Sequence, residues 1–331
     1  MDDKNAKALK RVKEEIEKID KKKNRVFFFV LDTKGNPSGS LCYIYNLALI
    51  AKDDVQVSPS DILFIPEIFS NVMNQSKNLP CKRIAILQNY DYILEQMPYA
   101  AQWGDFGIME AVTNTDAVAD KLHTIFPYVK TTTVNPYIDK MFGTSIEPKK
   151  MLVNIVAKNQ ADVVKIVKPF YWKYPAFKWV SFRDLRAVTK EVFAQSLREA
   201  AVTVWVDDDT SFGYTPLEAM RSGSIVIAKV PDDVPKWADD GEGKLTNSCV
   251  WFDSFHNVHR QIAAVVRSWI TDTVPEEVVT LIKEKSTLYP YEETKKEFET
   301  YLSGVIDNRK KEMEALINQF KTNEGNDEEK K

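Results

Sequence analysis

Short apolar runs rich in β-branched residues recur along this chain and alternate with segments whose apolar residues follow a helical spacing. Such runs are typical of strands in parallel sheets, which are covered on both faces. The runs lie at residues 25–31, 61–66, 83–87, 151–156, 178–184, 202–206, 225–227 and 249–252. Because these strands alternate with helical segments, the pattern predicts an α/β fold built on parallel sheets.

The clearest strand–turn–helix–strand unit spans residues 202–228. Its first strand ends in aspartates, a turn containing Gly213 follows, and a short helix carries Pro216 near its start. The turn lies beyond the carboxyl end of the strand, where ligands bind in open parallel sheets. N–H groups at a helix start suit a phosphate, and glycine allows close backbone approach. Glu218 follows within one turn, so its carboxylate can accept hydrogen bonds from both hydroxyls of a ribose; the alternative is a solvent-exposed helical side chain.

Length and composition bound the class of protein. The 331 residues are enough for two α/β domains, and the formal net charge of −3 argues against broad, unspecific attraction to nucleic acid. Cys42, Cys81 and Cys249 are too widely spaced for a disulfide framework or a metal cluster, which indicates a reducing compartment. The charged segment 1–24 is unlike a secretory signal, and no apolar run approaches the ~20 residues of a membrane span. We therefore expect a soluble, cytoplasmic protein.

The segment 211–228 resembles the signature of the family 4 class of GT-B glycosyltransferases, E-G-F-G-L-P-x-L-E-A-M-A-x-G-x-P-V-[IV]-A. The residues in register are Phe212, Gly213, Leu217, Glu218, Ala219, Met220, Gly223, Val226 and Ala228. The resemblance implies two Rossmann-like domains that face each other across a cleft, with a C-terminal helix crossing back. It also implies a hexosyltransferase-like enzyme that is retaining and needs neither metal nor cofactor, with a UDP- or GDP-sugar as co-substrate.

The family's donor-binding residues carry over to the same segment. In the family, the Glu that matches Glu218 binds the nucleotide ribose, and the backbone of the glycine turn faces the sugar and its phosphates. The residues of that turn are Ser211, Phe212, Gly213, Tyr214 and Thr215. The family's first Glu, which contacts the transferred sugar, falls on Thr210, and a nearby aspartate can substitute if the loop is shifted. Thr210 and Asp209 are therefore the catalytic candidates.

Cations are expected beside the donor phosphates and the base. The family places an Arg and a Lys after the strand at 151–156; Lys158 stands in for the first, and Lys165 is the nearest candidate for the second. A buried diphosphate needs cationic partners, so either these lysines or the helix termini must serve. At the end of strand 178–184, Arg183 can stack on the nucleobase.

Two loops in the first half are candidates for acceptor or phosphate contacts. Gly39 and Ser40 lie near a helix start in the glycine-bearing loop after strand 25–31, and a purely structural loop is the alternative. Asn89 follows strand 83–87 in a polar cluster that resembles a stretch of rhamnosyltransferase-like members of the class. Asn89 either contacts sugar hydroxyls or caps a turn.

The resemblance and the composition divide the chain into five parts. These are a charged N-terminal helix and linker (1–24), an N-terminal Rossmann-like acceptor domain (25–143), a C-terminal Rossmann-like nucleotide-sugar domain (151–289), a C-terminal helix (290–320) and a disordered polar tail (321–331). The polar segment 143–150, which contains Pro148, is the expected hinge.

Three functions stay open at this point. The family's usual acceptor is a glycan or a glycolipid. Some phage enzymes with GT-B folds glycosylate hydroxymethylated DNA bases, and the lysine-rich segment 1–24 and the small size keep that acceptor in view. A catalytically degenerate GT-B binding protein is favoured by Thr210, the incomplete cation pair and the missing Gly-Gly after strand 225–227. A nicotinamide-dependent dehydrogenase is disfavoured, because the sequence has no G-x-G-x-x-G.

Overall fold

Two parallel sheets, each of five strands, organise the part of the chain that the structure describes. The structure is a computed structural model, and it describes residues 25–28, 61–143, 148–207 and 212–328. Contacts divide these residues into two compact units. The first unit holds 25–28, 61–134 and 295–328, and the second holds the described residues between 135 and 294.

The first unit alternates strands and helices, as the apolar runs predict. Its strands are β1 (Val26–Phe28), β2 (Ile62–Pro66), β3 (Lys82–Leu87), β4 (Glu110–Thr113) and β5 (Lys130–Thr133), which lie side by side in chain order. Between them are α1 (Ser70–Gln75), α2 (Tyr90–Gln96) and α3 (Asp116–Ile125). Thr115 caps α3, because its hydroxyl accepts from the N–H of Val118 at 3.3 Å. Since all the strands are parallel, their carboxyl ends share one edge of the sheet.

The second unit has the same layers with a different strand order. Its strands are β6 (Lys150–Ala157), β7 (Ser181–Asp184), β8 (Ala200–Val206), β9 (Ile225–Lys229) and β10 (Val250–Phe252), in the order β10-β9-β8-β6-β7. Its helices are α4 (Gln160–Lys173), α5 (Lys190–Glu199), α6 (Tyr214–Arg221), α7 (Phe255–Ile270) and α8 (Glu276–Lys285). Every residue of the central strand β8 is buried, because helices cover both faces of the sheet. The carboxyl end of β8 lies between those of β6 and β9.

The last helix, α9 (Tyr291–Glu328), belongs to the first unit from residue 295 onward. Phe298 is fully buried there, and its ring centroid lies 6.1 Å from that of Phe64 and 6.2 Å from that of Phe28. The Nη2 atom of Arg309 donates to the carbonyl of Pro80 at 3.0 Å. The predicted C-terminal helix that crosses back to the first half is confirmed.

The helix α9 is longer than the predicted 290–320 and includes residues 321–328, which we expected to be disordered. The segment contains no proline, and adding a residue to an existing helix needs no new nucleus. Polar composition alone therefore does not end this helix. No helix in the described part of the chain is both long enough and apolar enough to cross a membrane.

The second unit begins before the hinge predicted at 143–150. Side chains of α5 and of the α6 end hold residues 135–143 in it. Lys190 pairs with Asp139 at 2.9 Å, Arg198 donates to the Met141 carbonyl at 2.7 Å, and Ser222 donates to the Phe142 carbonyl at 3.0 Å. These partners lie between 51 and 80 residues apart in sequence, so no local pattern marks the boundary.

Lys149, in the predicted hinge, joins the ends of two helices. Its buried Nζ atom lies near the carbonyl oxygens of Leu197 at 3.3 Å, Arg198 at 2.9 Å, Ala200 at 3.2 Å and Ser222 at 2.6 Å. These carbonyls belong to the C-terminal ends of α5 and α6, which lack intrahelical partners and carry partial negative charge. The lysine thereby fixes the C-terminal end of α6, the helix that carries Glu218.

Candidate functional site

The turn before α6 requires glycine at position 213. Gly213 is the N-cap residue, with φ of 74° and ψ of 64° in the left-handed region. A Cβ atom there would lie 3.3 Å from Cζ2 of Trp237 and 3.6 Å from Cη2 of Trp205. The indole N–H of Trp237 donates to the carbonyl of Phe212 at 2.7 Å. The backbone at the start of α6 is therefore held in one conformation beyond the carboxyl end of β8.

The aromatic side chains of Phe212 and Tyr214 in this turn pack together. Phe212 is buried, and its ring centroid lies 4.9 Å from those of Tyr214 and Tyr289. Thr215, in the first turn of α6, is partly exposed. The packing of these two rings is compatible with the backbone role that the resemblance implies for the turn.

Glu218 lies one turn into α6 and is partly buried. Among the described residues, its carboxylate forms no hydrogen bond and no ion pair. Burial raises its pKa to about 7; the charge of Lys190 lowers the pKa and that of Asp139 raises it. Because a buried carboxylate without partners is costly, this position favours a ligand that donates hydrogen bonds. Both oxygens can take a hydroxyl of a ribose.

Lys158 lies beside the same sheet edge. It follows β6, Asp207 follows the neighbouring strand β8, and the Lys158 Nζ and Asp207 Oδ1 atoms are 2.8 Å apart. The lysine side chain is 57% exposed, so this ion pair is weak and the ammonium can turn toward an anion. Lys165, the second candidate cation, pairs with Asp162 at 2.9 Å on α4 and lies 4.9 Å from the ring centroid of Phe255.

The structure directs Arg183 away from the glycine turn. Its Nη1 atom donates to Oγ of Ser196 at 3.0 Å, and its Nη2 atom lies 3.4 Å from Oε2 of Glu199, both on α5. Arg183 therefore ties the edge strand β7 to a helix. The neighbouring ring of Phe182 packs against Phe170 at 5.1 Å.

The loop after β7 holds a cation that sequence reasoning missed. Arg186 donates from Nε to Oδ1 of Asp184 at 3.0 Å and also bonds to Gln160, the first residue of α4. Ala187 follows in the left-handed region, with φ of 52°, which is uncommon for a residue with a side chain. The sequence could have indicated Arg186, because it lies two residues beyond the end of a strand and therefore at the carboxyl edge of the sheet.

In the first unit, Asn89 acts as a helix cap. Its Oδ1 atom accepts from the N–H of Asp91 at 3.0 Å at the start of α2. This is the structural role that we weighed beside the contact with sugar hydroxyls.

Glu67 is a second residue that sequence reasoning missed. It directly follows β2 and is fully buried, and its Oε1 atom accepts from the N–H groups of Gln88 at 3.0 Å and Asn89 at 3.2 Å. Its Oε2 atom has no partner among the described residues. Burial raises its pKa to about 7, although these backbone hydrogen bonds lower it. The available signal was an acidic residue at the end of the apolar run 61–66.

Several predicted residues lie outside the described part of the chain. They are Thr210, Asp209 and Ser211 before α6, and Gly39 and Ser40 in the first half. Their proposed roles stay predictions. Within the described residues, no group of three or more His, Cys, Asp or Glu side chains is placed to hold a metal ion.

A curated sequence relative is named for glucosyl transfer. No protein-family model matches the chain. The relative, an alpha-1,6-glucosyltransferase from Actinobacillus pleuropneumoniae serotype 7 (strain AP76), is 21% identical over 232 residues. The match covers 63% of this chain and 68% of the relative.

Several solved structures share the architecture. Sucrose-phosphate synthase from Thermosynechococcus elongatus aligns with a TM-score of 0.59 at 9% identity, over 87% of this chain and 100% of its own. Anabaena HepE, in complex with UDP, aligns with a TM-score of 0.54 at 10% identity, over 85% of this chain and 100% of its own. The pneumococcal O-GlcNAc transferase GtfA, in complex with UDP and GlcNAc, gives 0.51 at 13% identity. This last match covers 81% of this chain and 60% of GtfA. At these identities the likeness shows the fold, and the predicted GT-B fold is confirmed.

Proposed function

We propose that this chain is a glycosyltransferase, of the family 4 class, that moves a sugar from a nucleotide-sugar donor to an acceptor hydroxyl. The observation that carries the proposal is Glu218, a carboxylate without a partner among the described residues, inside a helix that starts beyond the carboxyl end of β8. The glucosyltransferase relative and the GT-B fold support the proposal.

Each part of the donor has a complementary group at this sheet edge. Glu218 accepts hydrogen bonds from the two ribose hydroxyls. The resemblance assigns the diphosphate to the backbone of the glycine turn, and the positive end of the α6 dipole at Gly213 supports this. Lys158 supplies a positive charge beside it, and Arg186 takes the place on the base side that we had expected of Arg183. Thr210 and Asp209 stay the catalytic candidates.

The finer features of the reaction are proposals of the same kind. The relative's name favours a glucosyl donor, and the two structures solved with UDP favour uridine as the base. Retention of the anomeric configuration and independence from metal follow from the family 4 resemblance. A glycan or glycolipid is the proposed acceptor; none of the four relatives reported above is named for a DNA acceptor.

One alternative function keeps specific support. Thr210 stands where the family has its first Glu, and Lys165 is paired with Asp162. Both observations favour a degenerate GT-B protein that binds a sugar nucleotide without transferring the sugar. Turnover separates the two functions, because the donor site is the same in both.

Calorimetry tests the donor site directly. UDP-, GDP-, dTDP- and ADP-glucose are titrated into the wild type, Glu218→Ala and the control Glu276→Ala, which changes an exposed carboxylate on α8. We expect one donor to bind, and Glu218→Ala to weaken it by roughly 100-fold, because two hydrogen bonds to a charged group are lost. Unchanged affinity in Glu218→Ala would show that the assignment is wrong. Tight binding without transfer to any glycan acceptor would favour the degenerate protein.

A further inference from the structure

Two tryptophans of the second unit are unusually exposed. Trp172 is 77% exposed and Trp179 is 53% exposed, whereas Trp103, Trp205 and Trp237 are buried. Single exposed apolar side chains are common, whereas exposed apolar surface that is grouped in one region marks a contact. Both lie in the short stretch that ends α4 and leads into β7.

The outer face of α4 carries both apolar and cationic groups. Ile166 and Phe170 are fully buried and define the inner face of the helix. Trp172 follows Phe170 by two residues, which places it about 200° around the helix, on the opposite face. Lys168 lies one turn before Trp172 on that outer face and is exposed.

The turn after α4 is held firmly from beneath. The rings of Phe170 and Phe177 stack with centroids 6.1 Å apart, and Trp179 meets Phe177 edge-on at 6.4 Å. Arg267 of α7 lies 5.3 Å from the ring centroid of Tyr174 and 5.6 Å from that of Phe177. Trp179 therefore projects from a packed base, and Arg267 adds a cation beside the ring of Phe177.

The charge of this stretch differs in sign from that of the whole chain. Residues 163–183 contain four lysines, one arginine and no acidic residue, although the chain has a formal net charge of −3. Lys168, Lys173 and Lys178 are exposed. A positive patch that carries two indole rings is complementary to a surface that is negative outside and apolar just beneath.

We propose that the basic aromatic patch (Lys168, Trp172, Lys173, Lys178 and Trp179) docks on an anionic phospholipid surface. Tryptophan is enriched where hydrocarbon meets headgroups, and lysines beside it bind anionic lipids. A protein partner is less well matched, because lysine is depleted in protein interfaces. The patch lies at the amino edge of the second sheet, opposite the edge that carries Glu218. Docking therefore leaves the donor site uncovered, and the proposal does not rest on the proposed function.

Vesicle binding by the full chain tests the patch. The probes are vesicles of phosphatidylcholine alone and vesicles with equal parts of phosphatidylglycerol and phosphatidylcholine, read out by co-sedimentation and tryptophan emission. We expect binding to the anionic vesicles, with a blue shift and quenching by brominated lipid, because the exposed indoles enter the interface. Binding should weaken as salt rises.

Matched variants separate this patch from general charge. The triple variant Lys168→Glu, Lys173→Glu, Lys178→Glu should weaken binding by at least about 100-fold, since each lysine contributes roughly fivefold. The control Lys77→Glu, Lys244→Glu, Lys310→Glu changes the net charge equally at exposed positions outside the patch and should bind like the wild type. Trp172→Ala, Trp179→Ala should remove the blue shift.

Three results would overturn the proposal. The first is failure of the wild type to bind anionic vesicles. The second is equal loss of binding in the patch variant and the charge-matched control. The third is binding without quenching by brominated lipid, which would place the tryptophans outside the membrane interface.

Discussion

Glu67 and Glu218 offer a comparison between the two units. Each lies near the carboxyl edge of a parallel sheet, and burial raises the pKa of each to about 7. They differ in what their oxygens contact. Glu67 is fully buried and accepts two backbone N–H groups, whereas Glu218 forms no hydrogen bond with the described residues. A carboxyl with a raised pKa thus binds backbone N–H groups in the first unit, whereas the corresponding carboxyl in the second unit has no hydrogen-bond partner among the described residues.

Truncation of the two carboxyls should give the largest difference. Glu67→Ala removes the acceptor of the Gln88 and Asn89 N–H groups inside the protein, so we expect a loss of about 2–5 kcal/mol in the free energy of unfolding. Glu218→Ala removes no hydrogen bond and should change the free energy by less than about 1 kcal/mol. Urea unfolding of both variants at about pH 4.5, where the folded protein holds both carboxyls protonated, measures this. Equal destabilisation would remove the distinction between the two sites.

The burial of Glu67 and Glu218 should make the free energy of unfolding depend on pH. A folded-state pKa raised from 4.5 to about 7 means that the folded protein holds the proton more tightly than the unfolded chain. Each carboxyl then contributes stability that is fully present below pH 4.5 and is lost as the pH rises to about 7. The contribution is at most roughly 3 kcal/mol for each group.

Glutamine at position 67 or 218 should remove the part of the stability loss that the glutamate there causes, because glutamine does not ionise. Urea unfolding at several pH values between 4 and 8 checks the slope for Glu67→Gln and Glu218→Gln. A decline as steep as in the wild type, in both variants, would show that burial of these carboxyls is not its cause.

Gly213→Ala should damage the edge that carries Glu218. The substitution places a side chain at φ of 74° and 3.3 Å from Trp237, so we expect a loss of about 2–3 kcal/mol and weaker donor binding. Gly243→Ala is the matched control, because its φ is 79° but a Cβ there meets no atom within 4 Å. It should cost about 1–2 kcal/mol and leave donor binding unchanged. Identical effects of the two substitutions would mean that the contact with Trp237 is unimportant.

Lys158→Ala should give the smallest effect. The lysine is largely exposed and paired with Asp207, so its removal should weaken donor binding by about two- to fivefold. Lys165→Ala, which breaks the pair with Asp162, is the control and should bind the donor normally. A larger effect of Lys165→Ala, measured by donor titration, would exchange the roles of the two lysines.

Much of the fold follows from local pattern. The apolar runs at 202–206 and 225–227 form β8 and β9, because β-branched side chains pack well on the pleated surface of a sheet. The signature predicted a glycine at position 213, and the left-handed backbone there explains why glycine is favoured. The length of α9 was less predictable, since residues 321–328 extend the helix although their sequence has no apolar stripe.

Contacts that are distant in sequence explain what the pattern missed. The partners of Glu67 lie 21 and 22 residues away, so its burial is a property of the sheet edge. Lys190 is 51 residues from Asp139, and that pair helps to move the unit boundary ahead of the predicted hinge. Arg183 lies in a strand as expected, yet the side of the sheet it faces depends on α5.

The most direct test of the account compares the two glutamates in donor binding. The donor identified by calorimetry is titrated at pH 8 into the wild type, Glu218→Gln and Glu67→Gln, each checked for folding. We expect Glu218→Gln to weaken binding by at least about tenfold, because a charged acceptor of the ribose hydroxyls is lost. Glu67→Gln keeps the shape of the structural tie and should bind within about twofold of the wild type. Donor binding that is equal in wild type and Glu218→Gln, or that is lost in Glu67→Gln alone, would contradict the assignment of the donor site to the second unit.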